Sequence, residues 1–363
     1  MVTLESIREK VQKGERLSFE DGVFLYAAPL IEVGELANTV RERLNGNVAY
    51  WVSNRHLNYS NVCVLTCLFC AFARKPGEEG GYEFSLEEIF RQAEELKGTG
   101  TTEIHIVGGL HPDLPWDYYT GMLRGIKARM PHLHLKAFTA VEIDFFAKKF
   151  GKTVEQVLRE LMDAGLDSLP GGGAEMFAER VRRKICKFKG TAEEWKDIHR
   201  TAHRLGLRST ATMLYGHVET PEECVDHMLQ LRTLQDETRG FTAFIPLLFH
   251  PENTLLSHIR KASGLTDLRH IAVSRLLLDN FPHIKVYWIM TGARIAQTAL
   301  SFGADDMDGT VQEEKITHMA GGTTPQGLTE ADLKALIVEA RRVPVKRDTV
   351  YRPLEVAGEA KPA

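Results

Sequence analysis

No run of apolar residues approaches the roughly 18 needed to cross a bilayer, so no membrane span is expected. The opening segment, MVTLESIREKVQKGERLSFEDG, is charged throughout and lacks an apolar h-region. A secretory signal is therefore not expected, and the chain is read as cytoplasmic. An excess of one charge is missing too: 45 Lys and Arg against 49 Asp and Glu leave a net charge of -4. That balance gives no reason to expect nucleic acid or an anionic membrane surface as a partner. There is no internal repeat of solenoid length and no low-complexity segment. Cysteine is scarce. An odd count of five, three of them clustered, argues against a disulfide framework and for metal chemistry in a reducing compartment. What remains is an ordinary globular composition, 43% hydrophobic and 26% charged over 363 residues, long enough for a full core.

The clustered thiols are Cys63, Cys67 and Cys70, in the stretch NVCVLTCLFCAF. Thiolates are the ligands of iron–sulfur clusters, and a cubane held by three of them leaves one iron free for a ligand that is not protein. Two plainer readings stay open on spacing alone. A structural zinc site needs four Cys or His ligands, and the other cysteines, Cys186 and Cys224, are isolated. Alternatively, all three are small apolar core residues.

Residues 1 to 45 read as helices, with apolar positions spaced through LESIREKVQKG and VGELANTVRERL. Thereafter short β-type runs alternate with amphipathic helices. The strand candidates are VAYWVSN, EIHIVGG, HLKAFTA, LDSLPGG, RSTATMLYG, FTAFIPLLF, IKVYWIM and GADDMDG. Eight is the number that a closed (β/α)8 TIM-type barrel requires, and right-handed crossovers put its helices outside. Helix starts are marked by the pairs Ser85 and Glu88, Thr153 and Gln156, Thr191 and Glu194, and Thr220 and Glu223, each a capping box, with Pro221 at the first helical position. Gly206 sits where a left-handed C-terminal cap belongs. The expected organisation is a helical extension over 1–45, the α/β barrel over 46–325, and a helix from about Thr329 with a loose tail over 326–363.

In such a barrel the polar residues at strand C-termini face the active site. The cysteine loop follows the first strand candidate. The second ends in Val107-Gly108-Gly109, where the missing Cβ atoms let backbone approach a ligand. The fourth opens into Pro170-Gly171-Gly172-Gly173-Ala174-Glu175, and a basic run follows at Arg180, Arg182, Arg183, Lys184, Lys187 and Lys189. A guanidinium there suits a planar carboxylate, and a solvated helix face is the alternative. His105, His111, Thr139, Glu142, His250, Arg294, Asp305 and Asp306 stand near strand ends. Singly, each is more often a satisfied structural residue; together they make a polar mouth. Met290 and Trp288 read as core or wall.

The C-x-x-x-C-x-x-C spacing, with Phe69 beside the last cysteine, resembles the radical S-adenosylmethionine (radical SAM) enzymes. The strings HLNYSNVCVLTCLFCAF, VGGLHPDLPWDYY, LHLKAFTAVEI, LPGGGAEMF, GLRSTATMLYGHVETPEE, AFIPLLFHPENT and GADDMDGTV narrow the resemblance, across residues 45 to 325, to the aminofutalosine synthases of the futalosine route to menaquinone. This implies a barrel of the radical SAM type, a 4Fe-4S cluster on Cys63, Cys67 and Cys70, and S-adenosyl-L-methionine as co-substrate. It also implies cofactor contacts from Phe69, Gly108, Gly109, Glu175 and either Arg180 or Arg182. In that arrangement the glycine carbonyls take the amino group, Glu175 the ribose hydroxyls and an arginine the carboxylate. No catalytic residue beyond the cluster ligands is implied.

The implied reaction is that of a transferase. A 5'-deoxyadenosyl radical adds to the vinyl carbon of 3-[(1-carboxyvinyl)oxy]benzoate, the aryl group migrates, and one carboxylate is lost to give 6-amino-6-deoxyfutalosine. Two substrate carboxylates need cations or donors, for which Arg55, His105, His250 and Arg294 are the candidates. The implied partners are this small molecule and an electron donor such as flavodoxin or ferredoxin, with no nucleic acid or membrane and a possible homodimer. A sister enzyme of the pathway, which cyclises dehypoxanthine futalosine, has nearly the same cysteine loop. The phrases GGLHPDLP and KAFTAVEI match the synthase better.

Overall fold

A computed structural model of the chain describes residues 1–356. Helices Leu4–Lys13, Phe19–Ala27 and Leu30–Asn45 come first. Capping boxes start the first two, Thr3 with Ser6 and Ser18 with Asp21, each satisfying backbone donors that a helix start leaves unpaired. The third lies against a later helix, Gly264–Leu277.

The chain then enters β1 (Val48–Val52) and, after Ser53, β2 (Asn54–Leu57). The further staves are β3 (Glu103–Ile106), β4 (His134–Ala137), β5 (Ser168–Leu169), β6 (Arg208–Tyr215), β7 (Phe241–Leu248) and β8 (His283–Ile284). From β2 to β8 they form one parallel seven-stranded sheet in chain order. The eighth stave is β9 (Asp306–Gly309), which closes the ring. On its β8 side the N–H groups of Asp305 and Val286 donate to the carbonyls of Ile284 and Asp306 at 3.1 and 2.9 Å. On its β2 side the N–H of His56 donates to the Gln312 carbonyl at 3.0 Å. The α/β barrel expected from the alternating pattern is the fold observed, and all four capping boxes read from the sequence are formed. Gly206 adopts the left-handed conformation, with φ +90°.

Three expectations need correction. The VAYWV part of VAYWVSN forms β1, which belongs to a second sheet with β9 and β10 (Val343–Arg347). The stave that leads into the cysteine loop is the polar run Asn-Arg-His-Leu of β2. Secondly, IKVYWIM is not one strand: β8 ends at Ile284 and Trp288–Thr291 is a helical turn. The Trp288 indole N–H donates to the Gly309 carbonyl at 2.8 Å, which holds that turn against β9. Thirdly, the helix Glu330–Glu339 is followed not by a loose tail but by β10 and an antiparallel β11 (Pro353–Val356). Residues 357–363 lie outside the described residues. Among the described residues no helix is long and apolar enough to cross a membrane.

Candidate active site

A barrel whose interior only stabilises the fold is filled with branched apolar side chains. This one encloses a cavity of about 320 Å³. Successive strand residues face opposite sides, so β2 turns His56 into the cavity and Arg55 away from it. The same alternation brings in His105 from β3, Lys136 from β4, Thr210, Thr212 and Leu214 from β6, and Ile245 and Leu247 from β7. Lys285 and Tyr287 follow β8, and Asp308 lies on β9. At the C-terminal end of the staves the lining passes to Cys63, Cys67, Cys70, Phe69, Gly108, Gly109 and Glu175.

The cysteine loop is held by backbone hydrogen bonds. The Cys63 N–H donates to Arg74 at 2.8 Å, Val64 to Leu110 at 3.1 Å and Leu68 to Ile185 at 2.8 Å. Lys75 fastens the outside, donating to the carbonyls of Val64 and Leu65 at 2.9 and 2.7 Å. Gly109 is the contact point with the barrel: its N–H donates to Ser60 at 2.8 Å, and a Cβ there would stand 2.2 Å from the Val62 carbonyl oxygen. Both glycines line the cavity, and their missing Cβ atoms also admit the cysteine loop at Gly109 and the Tyr59 ring at Gly108.

Glu142 braces this junction. Its carboxylate accepts from Tyr59 Oη at 2.9 Å, the Gly108 N–H at 3.1 Å, and the Thr139 N–H and hydroxyl at 2.7 and 2.8 Å. Burial pushes its carboxyl up to about 7, outweighing those donors, which favour the ionised form. An acid whose folded pKa lies above its unfolded one contributes stability below the unfolded value and loses it as pH rises through the folded value. Glu142 therefore weakens the fold by on the order of 3 kcal/mol between about pH 4.5 and 7. Denaturant unfolding at pH 5 and pH 8 should show a larger stability loss in the native chain than in Glu142→Gln; equal slopes would refute this.

Glu175 lines the cavity in a left-handed backbone conformation, φ +47°, which is uncommon for a residue with a side chain. Its carboxylate pairs with Lys189 Nζ at 2.5 Å, and that ammonium stands 5.3 Å from the Phe69 ring centroid. His105 lies 4.7 Å from the His56 ring, centroid to centroid. His250 also lines the cavity, but both nitrogens are engaged: Nε2–H donates to the Met290 carbonyl and Nδ1 accepts from Lys261, each at 3.0 Å.

Four arginines named from the sequence do not reach the cavity. Arg180 extends outward to Glu223, at 2.6 and 2.8 Å, and to the Val218 carbonyl. Arg182 is buried, but it turns back to the carbonyls of Ala174, Met176 and Gly190. Arg55 pairs with Glu313 and Glu95 outside the staves. Arg294 is exposed on the short helix Ala293–Ala299. In each case a nearer carboxylate, carbonyl or solvent satisfies the guanidinium. The cations that do line the cavity, Lys136, Lys189 and Lys285, were not picked out as site residues. For two of them a signal is readable: in HLKAF the inward parity of β4 falls on Lys136, and in IKVYW the residue directly after β8 is Lys285.

The family described as the radical SAM superfamily matches residues 57–231, and the one described as the CofH/MqnC C-terminal region matches 238–360. The aminodeoxyfutalosine synthase of Thermus thermophilus is 50% identical over 355 residues, covering 96% of this chain and 95% of its own. That of Streptomyces coelicolor is 49% identical, covering 96% and 93%. This chain belongs to the aminodeoxyfutalosine synthase family. The cyclic dehypoxanthine futalosine synthase of Halalkalibacterium halodurans stands further off, at 40% identity over 96% of this chain and 95% of its own. The fold is also that of methylornithine synthase, with a TM-score of 0.71 at 19% identity, over 92% of this chain and 95% of that one.

An aminodeoxyfutalosine synthase family member is a radical SAM enzyme, so the thiols should suit an iron–sulfur cluster, and they do. All three are unpaired with one another, half-buried, and open to the same cavity. Burial pushes Cys67 up to about 12 and Cys70 upward as well, while the N–H groups of Ala73 and Phe72 aimed at Cys70 favour its thiolate. Such thiols stay protonated until a cationic centre draws off their protons. Among the described residues no three Cys, His, Asp or Glu side chains converge on one ion. Cluster thiolates bind separate irons and need no such convergence.

Proposed function

We propose that this chain joins the adenosyl part of S-adenosyl-L-methionine to 3-[(1-carboxyvinyl)oxy]benzoate. Aryl migration and loss of one carboxyl then yield 6-amino-6-deoxyfutalosine. The supporting observation is one cavity within the ring of staves, lined both by the three cysteines and by Lys136 and Lys285. Half-identity to two aminodeoxyfutalosine synthases along nearly the whole chain sets the substrate class. A 4Fe-4S cluster on Cys63, Cys67 and Cys70 would supply the electron that cleaves the sulfonium, delivered by a carrier such as flavodoxin or ferredoxin.

The chain's own residues do the positioning. Phe69 walls the cavity beside the cysteines, and Glu175, which also lines it, would accept from ribose hydroxyls. Lys189, which lines the cavity beside Phe69 where Arg180 and Arg182 do not, would be the cation for a methionine carboxylate. Enclosure by the staves keeps water from a reactive intermediate.

The test is anaerobic reconstitution with iron and sulfide, then incubation with S-adenosyl-L-methionine, dithionite and the enol-ether benzoate. Mass spectrometry should find an adduct of adenosyl plus substrate minus one carboxyl, absent in Cys67→Ala. Free 5'-deoxyadenosine without adduct would overturn this substrate and favour the cyclising sister reaction.

A further inference from the structure

Lys136 on β4 and Lys285 just past β8 lie at the cavity floor and are 4% and 2% exposed. A buried ammonium is expensive unless each of its three donors finds an acceptor. Among the described residues each lysine has one protein acceptor: Glu103 Oε1 at 2.8 Å for Lys136, and Asp308 Oδ1 at 3.1 Å for Lys285. Burial above all, and the neighbouring Lys285 ammonium as well, disfavour the charge on Lys136. Around them the wall divides by chemistry. His56, His105 and Tyr287 stand on one side, with the His56 and Tyr287 planes 9° apart, while Ile245, Leu247 and Met290 are apolar.

A fold that needed only stability would carry leucine or isoleucine at these two positions. Two ammonium groups with one acceptor apiece, beside an apolar wall, suit a flat ring with one anionic edge. We propose that Lys136 and Lys285 form a subsite for an aromatic carboxylate, their spare N–H donors taking its oxygens while Ile245, Leu247 and Met290 take its ring. This rests on the benzoate reading above and names the residues that would recognise that end of the substrate. The attraction comes from directed, charge-assisted donors and not from net charge, because Glu103 and Asp308 already balance the two lysines.

Calorimetric titration of the cluster-loaded protein with 3-hydroxybenzoate and with neutral 3-hydroxybenzamide tests it. The native chain should bind the acid at least about tenfold more tightly than the amide, as expected for lost charge-assisted hydrogen bonds. The paired variants Lys285→Met with Asp308→Asn, and Lys136→Met with Glu103→Gln, remove a lysine together with its counter-ion, so no lone buried charge is left. Both should abolish the preference for the acid, and Arg55→Met, outside the cavity, should keep it. A native chain without the preference, or paired variants that retain it, would overturn the subsite. Product analysis separates the two readings. Adduct formation with the preference intact in the variants sinks only the subsite. Loss of the preference in variants of a chain that forms no adduct sinks only the reaction.

Discussion

Gly109→Ala should fail to load iron. The added Cβ would sit 2.2 Å from the Val62 carbonyl oxygen, 2.7 Å from the Val62 carbonyl carbon and 3.0 Å from that of Asn61. All three are backbone atoms, so no side chain can swing aside, and the loop must retreat by about an ångström to restore ordinary contact. Val62 immediately precedes Cys63, and the Gly109 N–H bond to Ser60 registers the loop on β3. Retreat therefore displaces Cys63 relative to Cys67 and Cys70, which are held separately through Leu68 and Ile185. Overpacking of this kind costs about 1–3 kcal/mol, which a fold of this size survives. The expected outcome is an apoprotein that still unfolds cooperatively at a lower denaturant midpoint but takes up little iron on reconstitution. Native iron content and an unchanged midpoint would show that the close approach is not needed. Gly108→Ala is the informative neighbour. Its Cβ meets the Tyr59 ring at 2.6 Å, a side chain packed among Tyr118, Tyr119 and Phe138, so stability should fall with less effect on iron.

The cluster motif was legible because three thiols at fixed spacing have few other uses, and the barrel because capping boxes punctuate the helices between its staves. What the sequence concealed has a common physical origin. The stave β2 reads Asn-Arg-His-Leu, polar enough to pass for a loop, because its inward residue His56 faces a cavity and not a core. The charge of Arg55 draws attention in the sequence, yet strand parity turns its neighbour His56 into the cavity. Arg180, Arg182 and Arg294 were placed by proximity in sequence to a glycine run or a strand end, and a helix turns such neighbours away from the site. Lys189, further along the same basic run, is the one that folds back onto Glu175. In the sequence Glu142 is one polar strand-end residue among several. With Thr139 it forms a capping box, and its second oxygen reaches Tyr59 and Gly108, so local helix chemistry and site architecture share one carboxylate.

Asp305→Ala should lower stability by about 3–5 kcal/mol, the usual consequence of leaving a buried charge without its partner. One Asp305 oxygen accepts from Arg275 Nη2 at 2.5 Å and from the Ile284 N–H at 2.8 Å; the other meets His283 Nδ1 at 2.5 Å. Arg275 and Asp305 are fully buried, and Asp305 is the only carboxylate paired with that guanidinium among the described residues. Its remaining contacts are the neutral carbonyls of Gly303 and Phe281. Burial would raise the Asp305 carboxyl, but His283 and Arg275 outweigh it and hold it below the ordinary value. The stabilisation is thus present above the unfolded pKa and lost as pH falls through the folded one. This carboxylate joins the helix Gly264–Leu277 to β8 and to the start of β9, where the barrel closes, so its loss should be felt globally. Urea unfolding of the apoprotein at pH 7 measures it. The double variant Arg275→Met with Asp305→Leu should recover most of the deficit, because it removes the lone charge and refills the space. A single variant within about 1 kcal/mol of the native chain, or a double variant no better than the single, would mean that closure rests on the backbone ladder between β8, β9 and β2 instead.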